Sequence, residues 1–139
     1  MNDVVINKIQ TLQRCIRRAR EEYQADPESF ESNYTRQDAA ILNVVRACET
    51  SIDLANYLIR SLKLGVPVSS ADSFRLLQVE GIIDSWLTER LQRMTGFRNT
   101  VVHQYTKVDI HIVVAVITTD LDELLAFADR VREHLAGAQ

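Results

Sequence analysis

The sequence predicts an all-α fold, an antiparallel bundle of four long helices and one short one. Two observations predict it. Four glycines and two prolines in 139 residues leave few turn-makers, and a chain so poor in breakers forms a few long helices more readily than many short strands. Apolar residues also recur at steps of three and four along most of the chain, the spacing of one face of an α-helix. The length suits a single domain, residues 1–139, whose core needs no disulfide or metal staple.

The first helix is expected over about residues 2–25, where Val5, Ile9, Leu12, Ile16, Ala19 and Tyr23 form one apolar stripe. Asp26 and Pro27 through Asn33 break it. Thr35 followed by Asp38 reads as a variant capping box for a second helix. That helix should run to about Lys63, with Gly65 and Pro67 ending it. Its apolar positions, from Ile41 and Leu42 to Ile59 and Leu62, span so wide an arc that neighbours must touch it on several sides. Ser69 or Ser70 caps the short third helix, which carries Phe74, Leu77 and Val79 and closes near Gly81. Asp84 is the expected N-cap of a fourth helix bearing Trp86, Leu87, Leu91, Met94 and Phe97.

The stretch Val108 to Ile117 is the one conflict. Its β-branched residues alternate as in a strand. Ile110, Val114, Ile117, Leu121, Leu124, Ala128, Val131 and Leu135 nevertheless keep helical spacing through the whole tail, and Asp109 stands near the start. The longer pattern outweighs local propensity and predicts a helix.

A formal charge of −3 excludes a protein that coats nucleic acid by bulk charge; a polyanion would have to meet a local basic patch. Cys15 and Cys48 lie inside helical patterns with no C-x-x-C spacing, as expected of reduced packing residues. The first residues show no basic leader followed by an apolar run, and no apolar stretch reaches the roughly 18 residues of a membrane span. A cytoplasmic protein is the expectation. No His, Cys, Asp and Glu cluster has metal-ligand spacing, so neither metal nor cofactor is expected.

The chemistry concentrates at residues 96–105, where Arg98, Asn99, His103 and Tyr105 spell R-N-x-x-x-H-x-Y. In an unbroken helix Asn99 and His103 share a face, and Arg98 and Tyr105 share an adjacent one. Spacing alone leaves a plain alternative open: a solvated arginine, a histidine at a helix end and a packed tyrosine.

The motif resembles that of the HepT branch of the HEPN superfamily. The likeness extends to the run Gly65 to Leu77, to Gly81 through Asp84, to Leu91 through Asn99, and to Val108, Asp109, Asp120, Leu121 and Leu124. It is least specific in the first helix. The resemblance implies a metal-independent endoribonuclease with Arg98 and His103 as catalytic residues and Asn99 and Tyr105 in support. Histidine moves protons near neutral pH, and arginine offers a permanent charge and a planar fork for phosphate oxygens. RNA supplies its own nucleophile, the 2′-hydroxyl.

One such histidine per chain, where an acid and a base are both useful, implies a homodimer that pairs Arg98 and His103 with their symmetry mates. HEPN proteins generally form such dimers. The resemblance further implies the toxin of a type VII-like toxin–antitoxin pair, whose partner is a small MNT-type nucleotidyltransferase that adds AMP to Tyr105. An alternative is a non-catalytic substrate- or nucleotide-binding subunit of a two-component nucleotidyltransferase.

Arg90 and Arg93, one to two turns before the motif, are further candidates for RNA contact. Arg14, Arg17, Arg18 and Arg20 either line an RNA track or form a solvated face balanced by Glu21 and Glu22. His111 and His134 are expected at the surface.

Overall fold

The computed structural model describes residues 2–137. Helix α1 (Asp3–Gln24) starts where the Asn2 side chain accepts the Val5 N–H at 3.0 Å. A cap of this kind contributes about 1 kcal/mol. Its buried stripe is Val5, Ile9, Leu12, Cys15, Ile16 and Ala19, with Tyr23 only partly buried at its end. After α1 the chain does not simply unravel at Pro27. It makes a 3-10 turn, Pro27–Ser32, that buries Phe30 against Tyr23, edge to face at 5.2 Å between ring centres.

Helix α2 (Tyr34–Leu62) begins two residues earlier than the Thr35 capping box allows. Asn33 is the N-cap, accepting the Arg36 N–H at 3.1 Å. Thr35 is thus an ordinary first-turn residue, and Asp38 is free for another task. At the other end the left-handed residue is Lys63 (φ 57°), not Gly65. The Leu64 N–H reaches back to the Ile59 carbonyl at 3.0 Å, closing the helix one step before the glycine. Gly65 then takes a positive φ of its own (119°) and turns the chain toward α3.

Helix α3 (Ser70–Val79) is capped by Ser69, and α4 (Ser85–His103) by Asp84. The contested segment is helical. Helix α5 (Ile110–Ala115) follows Asp109, whose carboxylate accepts the His111 N–H. It passes through one π turn, Val116–Asp120, into α6 (Leu121–Gly137). The three pieces form one long tail helix over 110–137. The π turn coincides with a side chain reaching into the ladder: Arg20 of α1 donates Nε–H to the Ile117 carbonyl at 3.1 Å and pairs with Asp122 at 2.8 Å.

The architecture is therefore four long helices and a short one. One apolar core runs through it. Phe74 of α3 and Phe127 of α6 meet edge to face at 5.5 Å with both rings fully buried, each burial worth about 1.5–3 kcal/mol. Both cysteines are buried and unpaired, and burial pushes the Cys48 thiol up to about 12. A thiol so held is a packing group and not a nucleophile. Among the described residues, no helix is long and apolar enough to cross a membrane.

Candidate active site

The second half of α4 carries the motif. Val101 points inward and is buried, which fixes the helix's roll and turns Asn99, Val102 and His103 outward to solvent. Arg98 lies between these faces, with its side chain 28% exposed, and meets Glu49 of α2. Its Nη2 and Nε donate to Glu49 Oε1 at 3.2 and 3.4 Å, and its Nη1 donates to Asn99 Oδ1 at 2.8 Å. A guanidinium has five N–H donors. Among the described residues three are engaged, and two remain for a ligand.

Asn99 therefore orients the arginine. The i, i+4 spacing places it on the His103 face, yet its carbonyl oxygen is committed to Arg98. His103 is the last residue of α4 and is exposed.

Tyr105 is not where an unbroken helix would carry it. Gln104 leaves the helical region (φ −140°, ψ 48°), and Tyr105–Lys107 form a separate 3-10 turn. Tyr105 is consequently off the Arg98 face, and its hydroxyl donates to the Asp38 carboxylate on α2. That hydrogen bond first, and burial second, push the phenol up to about 12. The bonded form is the protonated one.

Glu49 escaped the sequence reading, and Asp38 entered it only as part of a capping box that Asn33 replaces. A signal was there: Asp38, Leu42, Val45 and Glu49 follow helical steps of four, three and four, so two acids end one stripe of α2. This stripe faces the motif, because its two ends hold Tyr105 and Arg98. Leu42 and Val102, beside these polar groups, are each 49% exposed.

The chain resembles known proteins over most of its length. Residues 12–131 match the family described as Ribonuclease HepT-like. This chain belongs to the HepT-like ribonuclease family. The mRNA nuclease HepT of Shewanella oneidensis is 42% identical over 132 residues, 95% of this chain and 98% of that protein. The solved structure of a tri-AMPylated Shewanella oneidensis HEPN toxin in complex with MNT antitoxin superposes with a TM-score of 0.90 at 42% identity, covering 96% of this chain and 99% of that one. A toxin–antitoxin structure with AMP-PNP gives the same TM-score at 41% identity, covering 95% and 99% of the two chains. The cytosolic protein YutE of Bacillus subtilis shares the fold at 21% identity, with a TM-score of 0.78, covering 99% of this chain and 95% of that one.

In this HepT-like chain the other arginines expected to contact RNA fall into three groups. Arg90 and Arg93 line a cleft of about 190 Å³ on another face of α4, opposite Ile112, Val116, Asp120 and Glu123. Arg90 lies over the Trp86 ring at 5.2 Å, and Arg93 pairs with Glu89 at 3.4 Å. The structure does not bring these two to the Arg98 face. Arg17 and Arg18 are engaged by Glu21 and Glu22, and Arg20 ties α1 to the tail helix. Arg14 differs. With Arg46 it lines a cleft of about 310 Å³ between α1 and α2, bounded by Glu49, the partner of Arg98. His111 is exposed beside Glu31 at 3.2 Å, and His134 is half-buried.

Proposed function

We propose that this chain, acting as one domain, is the toxin of a type VII-like toxin–antitoxin pair. It is an endoribonuclease that needs no metal, built as a homodimer and neutralised by a nucleotidyltransferase that adds AMP to Tyr105. One observation carries the catalytic part. A guanidinium held by Glu49 and Asn99 keeps two donors free, and an exposed imidazole ends the same helix.

The arrangement suits cleavage by the RNA's own 2′-hydroxyl. Arg98 supplies fixed positive charge to the non-bridging phosphate oxygens as the pentacoordinate phosphorus forms. Prior anchoring by Glu49 spares the arginine the cost of ordering when RNA arrives. His103 from one copy takes the 2′-hydroxyl proton, and His103 from the other gives a proton to the departing 5′-oxygen. The products carry a 2′,3′-cyclic phosphate and a 5′-hydroxyl. Leu42 and Val102, half-exposed at the motif, are the apolar surface that a second copy of this chain covers.

The partner follows from the relatives. The Shewanella HEPN toxin is solved with MNT antitoxin and in tri-AMPylated form, and Tyr105 here stands exposed two residues beyond His103. An AMP chain growing from Tyr105 puts phosphate charge on the α2 face that also holds Arg98 and competes there with RNA. Such a pair works in the cytoplasm, where RNA and nucleoside triphosphates meet.

The test is RNA cleavage by the purified wild type, Arg98→Ala and His103→Ala proteins. Each variant is expected to lose activity by about a hundredfold or more while sedimenting as a dimer with unchanged helicity. Cleavage retained in both variants overturns the assigned roles. Absence of cleavage in the wild type across many RNAs, with tight binding to the nucleotidyltransferase, supports the binding-subunit alternative instead.

A further inference from the structure

We propose that Asp38 is the proton acceptor for Tyr105 when that tyrosine takes its first AMP, so that the toxin supplies part of the chemistry of its own neutralisation. The inference rests on the reading of Tyr105 as the modified residue.

The two groups come from distant parts of the chain. Tyr105 sits on the 3-10 turn after α4, and Asp38 sits one turn into α2; the phenol donates directly to the carboxylate. Asp38 is exposed and Tyr105 is 48% exposed, so a partner enzyme can approach both. Packing does not force this pair together, and neither side chain belongs to the core. Arg98 is occupied by Glu49, eleven residues further along α2. His103 and Lys107, the other titratable groups of this segment, make no hydrogen bond to the phenol among the described residues. Among the described residues, Asp38 is the group that accepts a hydrogen bond from this phenol.

Chemistry requires such a group. The phenol is held in its protonated form, well above neutral pH, so attack as free phenolate is not available. In the step proposed, the phenolic oxygen attacks the α-phosphorus of a nucleoside triphosphate held by the nucleotidyltransferase. The bond from that phosphorus to the oxygen bridging to the β-phosphate breaks, and pyrophosphate leaves with the electron pair. The phenolic proton passes to the Asp38 carboxylate and then to solvent. As the new P–O bond forms, the oxygen loses basicity and transfer to a carboxylate becomes downhill. The product no longer has a proton to donate to Asp38, and the like charges of phosphate and carboxylate then drive the modified side chain off α2.

The experiment measures the first addition by intact-mass spectrometry, with the cognate nucleotidyltransferase and ATP, for wild type, Asp38→Asn and Asp38→Glu from pH 6 to 9. Expressing each variant's rate as a ratio to wild type removes the partner enzyme's own pH dependence. Asp38→Asn is expected to be at least tenfold slower at pH 7, with the ratio climbing toward unity as pH rises and phenolate forms. Asp38→Glu is expected to restore much of the rate and a flat ratio. Circular dichroism and co-purification with the nucleotidyltransferase establish that the variants fold and bind. A ratio near one at every pH, or a low ratio that does not vary with pH and is not rescued by glutamate, overturns the proton-acceptor role. No addition to the wild type, or addition that survives Tyr105→Phe, overturns instead the reading of Tyr105 on which the proposal rests.

Discussion

Two faces of helix α4 each carry arginines, and they are built differently. On the face toward the tail helix, Arg90 lies over Trp86 and Arg93 pairs with Glu89, one turn away on the same helix. Both partners of the Arg93 pair are more than 60% exposed, and pairs of that kind hold a side chain weakly. On the face toward α2, Arg98 is gripped by a glutamate from another helix and an asparagine from its own. The first face has charge; the second has charge in a fixed place. Positive charge recruits RNA from any position, whereas stabilising a transition state requires donors already aimed.

The comparison is broken most directly by exchanging the roles of the arginines. Arg98→Lys keeps the charge but loses the planar fork that serves Glu49 and phosphate together. RNA cleavage should fall by about a hundredfold, while Arg93→Ala should change it by about twofold or less, measured as kcat/KM on one labelled RNA. Equal losses would mean that the two faces are equivalent. A smaller effect is expected from Glu49→Gln, which leaves a hydrogen-bond acceptor but removes the charge. Cleavage should drop by about tenfold through misplacement of Arg98, with the dimer intact by sedimentation. If activity rises, Glu49 restrains the arginine and does not prepare it.

The smallest effect belongs to the other face. Burial first, and Asp120 second, hold the Glu123 carboxyl above its ordinary range, with Arg90 and Arg93 opposing. A carboxyl raised on folding adds stability only while protonated, and that contribution is lost as pH rises through its folded pKa. Glu123→Gln should therefore raise Tm by about one degree at pH 7, discounted for partial exposure, and by nothing below about pH 4. Thermal melts at the two pH values check this.

What was legible in the sequence follows the range of the interaction. The caps Ser69, Asp84 and Asp109 are local, each bonding to an N–H two or three residues on, and each could be read by inspection. The tail helix was legible because its apolar period outlasts the β-branched run. Where two capping side chains stand two positions apart the reading slipped, since Asn33 caps α2 in place of Thr35; the far end of α2 falls near Lys63 as expected, but Lys63 itself takes the left-handed turn before Gly65. The site was half legible. Arg98, Asn99 and His103 stand together in a motif, but their settings come from α2. Glu49 and Asp38 lie 49 and 67 positions from their partners, and no helical period reports a contact at that distance. Tyr105 was misplaced for a related reason, since extrapolating α4 past Gln104 assumed a helix that the backbone leaves there.

In the proposed reaction Arg98 and His103, without a metal ion, let RNA cut itself through its 2′-hydroxyl. The most direct measurement is incubation of the purified protein with a defined RNA in excess chelator, followed by chemical mapping of the new ends. The expected termini are a 2′,3′-cyclic phosphate and a 5′-hydroxyl, with no product from an RNA bearing a 2′-deoxy sugar at the cut site. Termini carrying a 3′-hydroxyl and a 5′-phosphate, or cleavage that persists at the deoxy position, would contradict it.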